Sequence, residues 1–340
     1  MLILGIESSC DETSAGLVED GKKVLSNVVY SQAKIHSRFS GVVPEIASRN
    51  HLVKILDVVE ESIKGRNLKD IDAVAVTNGP GLIGALLIGL STAKALSYSL
   101  DRPLIPVNHI EAHMYAPHLV YDIAFPYIGL VISGGHTILY KVNAFDDMKM
   151  LGSTIDDAIG EAYDKTAKLL NLGYPGGPII DKIAKDAEAN SMNFPENVLP
   201  KRGDEFNFSY SGLKTSVNYK IRELKNNSAK LSDSIIKDIC ISFQTAAVAQ
   251  LYKKAKKAIE KTKINRLVVS GGVSANSLVR KKFTDMSNEG IETYITPIEY
   301  SGDNAAMVAG RGYVNYTLNK TGNLRTEAYS RISAINKGKR

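Results

Sequence analysis

The stretch YIGLVISGGHTILY at residues 127–140 indicates the fold, because it repeats the order of features that opens the chain. An apolar run, a small polar turn and a second apolar run predict strand, turn and strand. Residues 4–18 follow the same order, with their polar turn at 8–13. Asp20-Gly21 then provides a hairpin signal before a further strand. The sequence therefore predicts an internal repeat of topology, although the two stretches are not identical.

Strands alternate with helices beyond each repeat. In the first half, the apolar spacing predicts a helix from Pro44 to Ile63, a buried strand at 73–77 and an apolar helix from Leu82. In the second half, helices are predicted at 155–170, 177–189 and 234–261, and strands at 266–270 and 292–296. This alternation favours an α/β sheet protein. A chain of 340 residues is long for one core, so two lobes are expected, with a boundary near 117–126.

The composition is that of a globular protein with excess positive charge. A net charge of +6 and a pI of about 9.0 fit an acidic partner such as nucleic acid or, alternatively, a solvated basic surface. Cys10 and Cys240 are far apart in sequence and form no CxxC motif, so a reducing compartment is expected. No signal-peptide pattern opens the sequence, and the apolar stretch 82–90 is too short to span a bilayer. A cytoplasmic protein without a membrane span is predicted.

Two of the six histidines, His109 and His113, belong to the segment NHIEAH at 108–113. If Asn108 caps a helix, with Glu111 completing a capping-box-like start, the histidines are i and i+4 and point the same way. First-row metals take neutral imidazole nitrogens, so the pair is half of a metal site; the alternative is that both histidines merely line a helix face. Asp303 is either the third ligand or a simple N-cap.

Glu111 distinguishes this pattern from that of a zinc peptidase. In HExxH the glutamate directly follows the first histidine, about 100° around the helix, where it can activate a metal-bound water. Here Glu111 comes two residues after His109 and points nearly opposite to both histidines. A peptidase mechanism is therefore poorly supported.

Three loops rich in small residues follow predicted strands, at 8–13, 133–137 and 270–274. Small residues let backbone amides approach an anion closely, and a following helix N-terminus adds positive potential. In a duplicated α/β protein these loops together favour a nucleotide bound between two lobes. Neither a Walker A motif nor a Rossmann GxGxxG after the first strand is present, which argues against those two nucleotide folds.

Three polar stretches leave alternatives open. Asp157, Glu161 and Asp164 share a predicted helix face, which is either solvated or grips ligand hydroxyls. The basic run at 253–257 contacts RNA phosphates, or it is an ordinary solvated helix face. The stretch 190–214, rich in Asn, Pro and Gly, is predicted to be a surface insertion.

A series of motifs resembles one family over nearly the whole chain. The motifs stand in the family's usual order: IESSCDET at 6–13, GVVPEIASR at 41–49, the spaced signature at 94–114 that includes HIEAHM, SGGHT at 133–137, GEAYDK at 160–165 and GGVSAN at 271–276. The segment SGLKT at 211–215 is similar to the bacterial branch. The chain thus resembles the glycoprotease-like (TsaD) family, the threonylcarbamoyltransferase subunit of tRNA modification.

The resemblance implies a duplicated actin-like, Hsp70-like, sugar-kinase-like (ASKHA) α/β fold. Its lobes would be 1–120 and 121–332, with a helical insertion at about 155–262, and a final helix at about 303–320 that stays with the second lobe or packs back on the first. One metal ion per subunit is implied, Fe²⁺ before Zn²⁺, with the ligands His109, His113 and Asp303. The implied substrate contacts are Val131, Ile132, Ser133, Gly134, Gly135, Asp164, Gly177, Asp181 and Asn276.

The implied activity transfers a threonylcarbamoyl group from threonylcarbamoyl-AMP to the N6 amine of adenosine 37, beside the anticodon, in tRNAs that read ANN codons. Asp11 is the candidate for handling the amine proton. The expected partners are tRNA, a paralogous actin-like (TsaB-like) subunit and a small (TsaE-like) ATPase. The alternatives are an ATP-dependent small-molecule kinase of the same fold and a non-catalytic, nucleotide-dependent scaffold.

Overall fold

The computed structural model describes residues 1–185, 192–196, 205–227 and 231–331. The chain forms two compact units. Unit 1 consists of Met1–Asp122 and the segment from Gly302 onwards, and unit 2 consists of Ile123–Ser301.

Strands and helices alternate along the described residues. The strands are β1 (Leu2–Glu7), β2 (Glu12–Glu19), β3 (Lys23–Ser31), β4 (Ala73–Gly79), β5 (Leu104–Asn108), β6 (Tyr127–Ile132), β7 (Thr137–Ala144), β8 (Asp147–Ser153), β9 (Arg266–Ser270) and β10 (Glu292–Ile295). The α-helices are α1 (Ala33–His36), α2 (Pro44–Ile63), α3 (Ile83–Leu100), α4 (His109–Tyr115), α5 (Ile159–Leu169), α6 (Gly176–Lys185), α7 (Ser211–Asn227), α8 (Asp233–Thr262), α9 (Ser277–Thr284), α10 (Ile298–Ser301) and α11 (Ala305–Thr317). Short 3-10 helices lie at Ser37–Phe39, Leu68–Asp70, Ala116–Leu119, Gly272–Ala275 and Asp285–Glu289.

Among the described residues, each unit contains one five-stranded sheet, and the two sheets have the same topology. The strand order in unit 1 is β3-β2-β1-β4-β5, with an antiparallel β1–β2–β3 meander and with β4 and β5 parallel to β1. The order in unit 2 is β8-β7-β6-β9-β10, with the same directions. The predicted repeat of topology is confirmed, and with it the α/β class.

Strand β1 lies at the centre of its sheet and is covered on both faces. Successive side chains of a strand point to opposite faces, and Leu4 and Ile6 belong to a core cluster that includes apolar residues of α2 and α3. On the other face, a Cβ at Gly5 would lie 2.3 Å from the carbonyl oxygen of Ala305 in α11. Glycine is therefore needed at this position, because any side chain would push α11 off the sheet.

Helix α3 is longer than the apolar stretch 82–90 from which it was predicted. The helical pattern continues past Lys94 to Leu100, and Leu96 in this added part also packs against the core of unit 1. By length and composition alone α3 could cross a membrane, but 33% of its residues are buried and it packs on β4 and α2. It forms part of the core of unit 1.

Two predictions for unit 2 need correction. Helix α5 begins at Ile159, not at 155, because Asp156 accepts a hydrogen bond from the backbone N–H of Tyr210 at 2.8 Å and is not part of the helix. The stretch 190–214 is not a surface insertion in its described part, since Phe208 and Tyr210 are fully buried in the core. Helix α7, which starts in that stretch, was not predicted, and residues 186–191 and 197–204 lie outside the described residues.

Candidate functional site

Helix α4 of unit 1 presents the two histidines. The Asn108 side chain caps it, accepting hydrogen bonds from Ile110 N at 2.8 Å and Glu111 N at 3.1 Å. The predicted N-cap is confirmed. One turn apart, the rings of His109 and His113 meet edge to face, with centroids 4.6 Å apart. Both side chains are buried, so the pair is not a solvated helix face.

Asp303 meets these histidines from the segment that precedes α11. Its Oδ1 lies 3.0 Å from His113 Nε2 and 3.7 Å from His109 Nε2. One ligand atom from each of the three residues lies within 4.8 Å of the others. The N-cap of α11 is Asn304, which accepts a hydrogen bond from Met307 N at 3.1 Å. The alternative that Asp303 serves as the cap is therefore wrong, and its carboxylate faces the two histidines instead.

The three side chains fit a single metal ion. His113 is fully buried, and its Nε2 lies 3.0 Å from Asp303 Oδ1 without making a hydrogen bond to it. A buried ring nitrogen that faces a carboxylate oxygen without a hydrogen bond is costly, and a cation between the two atoms would remove that cost. Two imidazole nitrogens and a carboxylate oxygen suit either iron or zinc. The cluster could hold one ion, and it leaves the choice of metal open.

Two carboxylates control the charge at His109 when no ion is bound. Burial lowers the pKa of His109, but Asp303 and Glu7 outweigh this effect and raise the pKa to about 9. Burial raises the pKa of Glu7, but His109 outweighs it and the net pKa of Glu7 is lowered. A metal would displace the proton of His109, because only a neutral imidazole nitrogen can bind one.

Glu7 was not predicted as a site residue. Its Oε2 lies 3.2 Å from His109 Nδ1 and accepts a hydrogen bond from Thr77 Oγ1 at 2.6 Å. The signal in the sequence was a single charge at the end of the apolar strand LILGIE. Charged groups are rarely buried without a partner, and this one has several.

Glu111 faces away from the ligands, as its position in the sequence predicted. Its Oε2 lies 2.6 Å from Nη2 of Arg311, a buried residue of α11. This ion pair joins α4 to α11. Glu111 was expected to complete a capping box with Asn108, but its carboxylate binds Arg311 instead.

The loop predicted at 8–13 connects β1 to β2, which already begins at Glu12, and it is held by α2. His51 Nδ1 lies 2.7 Å from Thr13 Oγ1, and its Nε2 lies 2.9 Å from the carbonyl oxygen of Cys10. Burial lowers the pKa of His51. The Asp11 side chain is buried in this loop, and its backbone oxygen accepts a hydrogen bond from Gln32 N at 3.0 Å. The structure thus fixes the backbone around Asp11.

The second predicted loop, at 133–137, lies in unit 2 after β6, which contains Val131 and Ile132. The backbone N–H of Ser133 donates to His136 O at 2.8 Å, which closes the turn. The carbonyl oxygen of Gly134 accepts from Glu161 N at 3.1 Å, so the loop lies against the start of α5. Gly134 and Gly135 are exposed, and their backbone is accessible.

The other predicted substrate residues hold the ends of neighbouring helices in unit 2. Asp164 Oδ1 accepts from Gly176 N at 2.7 Å, beside Gly177 at the start of α6. Asp181 accepts from both the backbone N–H and the hydroxyl of Ser277, at 3.0 and 2.7 Å.

Asn276 caps α9, accepting from Leu278 N and Val279 N, and it donates to Gln244 at 2.8 Å. It also lies 3.5 Å from the hydroxyl of Tyr163, which precedes Asp164 in α5. The structure therefore joins α5, α6 and α9, and with them the loop at 133–135, into one continuous region of unit 2. Gln244 and Tyr163 were not predicted as part of this region.

The interpretation of Asp157 and Glu161 as hydroxyl-gripping groups is not supported. Asp157 precedes α5 and binds Lys165 and Lys214 at 2.6 and 2.9 Å, and Glu161 binds Lys165 at 2.8 Å. Partial burial raises the pKa of Asp157, but the two lysines outweigh it and lower the pKa. Asp157 thus holds α5 to α7, and the Glu161 pair lies within α5.

The basic run on α8 is largely neutralised within unit 2. Three of its lysines form ion pairs with glutamates: Lys253 with Glu196, Lys256 with Glu289 and Lys257 with Glu205. Glu205 also pairs with Lys261, beyond the run. Surface pairs of this kind contribute little to stability, but they cancel much of the local positive charge. The run is thus a weaker RNA surface than its sequence suggested.

Two sheets of identical topology, each covered by helices, define the actin-like ASKHA class. The chain is similar to HypF of T. kodakarensis (TM-score 0.61, 16% identity, 94% of this chain and 48% of that one). It is also similar to component A of the (R)-2-hydroxyglutaryl-CoA dehydratase of Acidaminococcus fermentans (TM-score 0.55, 13% identity, 93% and 99% coverage). At such low identity these likenesses concern the fold alone.

The chain belongs to the TsaD family, whose model is described as tRNA N6-adenosine threonylcarbamoyltransferase and matches residues 23–310. Curated relatives carry that same name. A protein of Brachyspira hyodysenteriae is 48% identical over 334 residues, covering 98% of this chain and 96% of the relative. A protein of Treponema denticola is 46% identical over 339 residues, covering 99% of both chains. The resemblance inferred from the motifs is confirmed.

Proposed function

We propose that the protein transfers a threonylcarbamoyl group from threonylcarbamoyl-AMP to the N6 amine of adenosine 37 in tRNAs that read ANN codons. The observation that carries this proposal is the match to the TsaD family across residues 23–310, which includes all three candidate metal ligands. In the reaction a bond forms between N6 and the carbamoyl carbon, and the bond from that carbon to the phosphate oxygen breaks. AMP leaves with the electron pair, and the amine loses a proton.

His109, His113 and Asp303 would hold one ion, Fe²⁺ in preference to Zn²⁺. When bound, the ion supplies Lewis acidity and a template for the donor's oxygens. The donor is a mixed anhydride with a good leaving group, so the protein's main task is to position it against the amine. The buried setting of the ligands supports this role, because it excludes water that would hydrolyse the anhydride.

The residues of unit 2 would bind the donor. In the loop that follows Val131 and Ile132, Ser133 closes the turn, and the exposed backbone of Gly134 and Gly135 offers amides to charge that develops near the carbonyl and phosphate. Asp164, Gly177 and Asp181 would receive hydroxyl groups, and Asn276 the adenosine. Asp181 already accepts two hydrogen bonds from Ser277, but each carboxylate oxygen has a second lone pair.

Asp11 remains the candidate for receiving the amine proton. Its support is the fixed backbone of its loop, which His51 and Gln32 hold in place. A positioned base within reach of the amine would contribute about 10²–10⁴-fold to the rate.

We also propose that α2 and α3 receive the paralogous actin-like (TsaB-like) subunit. Leu52, Val53 and Leu56 of α2 are 64–67% exposed, and Ile83 and Leu87 of α3 are 47–48% exposed. The two helices pack closely next to these residues, since a Cβ at Gly84 would lie 2.5 Å from Ser48 Oγ. These five side chains form the apolar surface of α2 and α3, and grouped exposed apolar side chains mark sites of protein–protein interaction.

The remaining partners are proposed from the family alone. They are tRNA and a small (TsaE-like) ATPase, with the reaction taking place in the cytoplasm. The net charge of +6 supports an RNA partner. The names of the curated relatives do not favour the kinase or the scaffold.

The metal ligands provide the test of the proposal. The purified chain, its partners, tRNA and threonylcarbamoyl-AMP are combined, and modified adenosine is measured by mass spectrometry. Asp303→Asn and His113→Ala should lose the metal and at least about 100-fold in rate, which corresponds to about 2.7 kcal/mol. His118→Gln, a change at a buried histidine outside the ligand set, should retain both the metal and the wild-type rate. Unmodified adenosine with the wild-type protein would contradict the proposed function.

A further inference from the structure

Two neighbouring groups of unit 1 hold the carboxylate of Glu7 in place, and neither belongs to a metal ligand. Glu7 is the last residue of β1, and its side chain is fully buried. Ser9 N donates to Oε1 at 2.6 Å, and Thr77 Oγ1, from β4, donates to Oε2 at 2.6 Å. The position of the carboxylate is therefore determined by two adjacent strands of the sheet.

The same carboxylate decides where the His109 ring carries its proton. Oε2 lies 3.2 Å from His109 Nδ1, and an ionised carboxylate can only accept a hydrogen bond. Nδ1 must then be the donor, which leaves the lone pair of the neutral ring on Nε2. Ser9 Oγ lies 3.2 Å from the same nitrogen, but a hydroxyl either donates or accepts and so cannot decide the tautomer.

The opposite side of the ring faces the other ligands. His109 Nε2 lies 3.7 Å from Asp303 Oδ1, and the ring packs against that of His113. We propose that Glu7 is a positioning residue of the metal centre, which holds His109 in the tautomer and orientation that present Nε2 to the ion. The inference rests on the proposed metal centre. It assigns to Glu7 a role that needs no contact with substrate or ion.

Metal affinity measures this role directly. Metal-free protein is titrated with Zn²⁺ against a chromophoric chelator at one fixed pH, because metal binding displaces protons. Glu7→Gln keeps the size of the side chain, but the new amide NH₂ group can donate to Nδ1. This favours the tautomer that carries its proton on Nε2, which cannot bind the ion through that atom. Replacing such an outer partner of a histidine ligand typically costs 10–100-fold in affinity. We expect a weakening of about 10–100-fold for Glu7→Gln and a smaller one for Glu7→Asp, which still only accepts.

Two further readouts separate positioning from mere structural support. With Co²⁺ in place of Zn²⁺, the visible absorption should change in Glu7→Gln, because it depends on the ligand geometry. The melting temperature of the metal-free protein reports stability alone, and a purely structural role would lower it without changing the Co²⁺ spectrum. Glu45→Gln, at an exposed glutamate in the first turn of α2, is the control for loss of a negative charge and should bind Zn²⁺ as the wild type does.

The outcomes are distinct. Wild-type affinity and an unchanged Co²⁺ spectrum in Glu7→Gln would overturn the role of Glu7 and leave the metal centre standing. Failure of the wild-type protein to bind Zn²⁺ would overturn both. If Glu7→Gln does not fold, Thr77→Val replaces it, since this variant removes only the hydroxyl that orients Oε2. Weaker Zn²⁺ binding by Thr77→Val supports the inference, and unchanged binding contradicts it.

Discussion

Residues outside the ligand set help to build the proposed metal centre. Glu7 contacts the ring of His109, the Asn108 cap begins the helix that carries both histidines, and Asn304 caps α11 in place of Asp303. N-caps of this kind contribute about 1 kcal/mol each. The precision of the centre therefore depends on residues that a search for ligands alone would miss.

A prediction at the residue scale concerns His118, which stacks on Tyr115 just after α4. Burial lowers the pKa of His118, and nearby Lys22 and Arg311 lower it further, to about 4. Below pH 6.5 the unfolded chain binds a proton that the folded chain does not, so stability is present above pH 6.5 and is lost as the pH falls towards 4. The pKa difference corresponds to at most about 3 kcal/mol.

The predicted loss of stability is measured by urea unfolding of the wild-type protein and of His118→Gln between about pH 7 and about pH 4. The difference in free energy of unfolding between the two proteins should move in favour of the variant as the pH falls. A difference that stays constant over this range would contradict the assigned pKa.

At the scale of elements, the centre is an assembly of α4 and the start of α11 on one face of a sheet. The Glu111–Arg311 ion pair joins these helices on the side away from the ligands. Removing Glu111, whose side chain is partly exposed, would leave the charge of the buried Arg311 uncompensated, which is costly. This pairing explains why a glutamate stands between the histidines although it has no part in the peptidase pattern.

A prediction at the element scale concerns the apolar surface of α2 and α3. The double change Leu52→Asp and Leu56→Asp places two charges on this surface and should weaken binding of the TsaB-like subunit at least about 100-fold. Both side chains are solvent-exposed, so the fold should be retained. Isothermal titration calorimetry of the purified pair measures the effect.

Tyr219→Asp is the matched control, because Tyr219 is a 65% exposed apolar residue on α7 of unit 2. It should leave partner binding unchanged. Equal affinity of the double variant and the wild type would place the partner on a different surface.

At the scale of the whole molecule, local patterns in the sequence predicted the features that depend only on residues close together along the chain. The repeat of strand, turn and strand, the helical spacing of His109 and His113, and the outward direction of Glu111 all follow from periodicity along the chain. The hydrogen bond from His109 to Glu7 joins residues 102 positions apart, and that from Ser277 to Asp181 joins residues 96 apart. Such pairings depend on tertiary packing, and no local spacing encodes them.

The predictions of a surface insertion at 190–214 and of an RNA surface on α8 failed for the same physical reason. Helix α7 begins in a stretch rich in Asn, Pro and Gly, whose composition is typical of a loop, but burial of Phe208 and Tyr210 overrides that local preference. The lysines of α8 had the composition of an RNA surface, and only the fold brings glutamates from distant segments to neutralise them.

The proposed reaction moves one carbamoyl carbon from the adenylate to N6 for each AMP released. A single turnover with donor labelled at that carbon, with enzyme and partners in excess, measures both products by mass spectrometry. We predict one labelled threonylcarbamoyl group on the adenosine beside the anticodon for each AMP. Release of AMP with the label lost to water, and with the adenosine unmodified, would contradict the account.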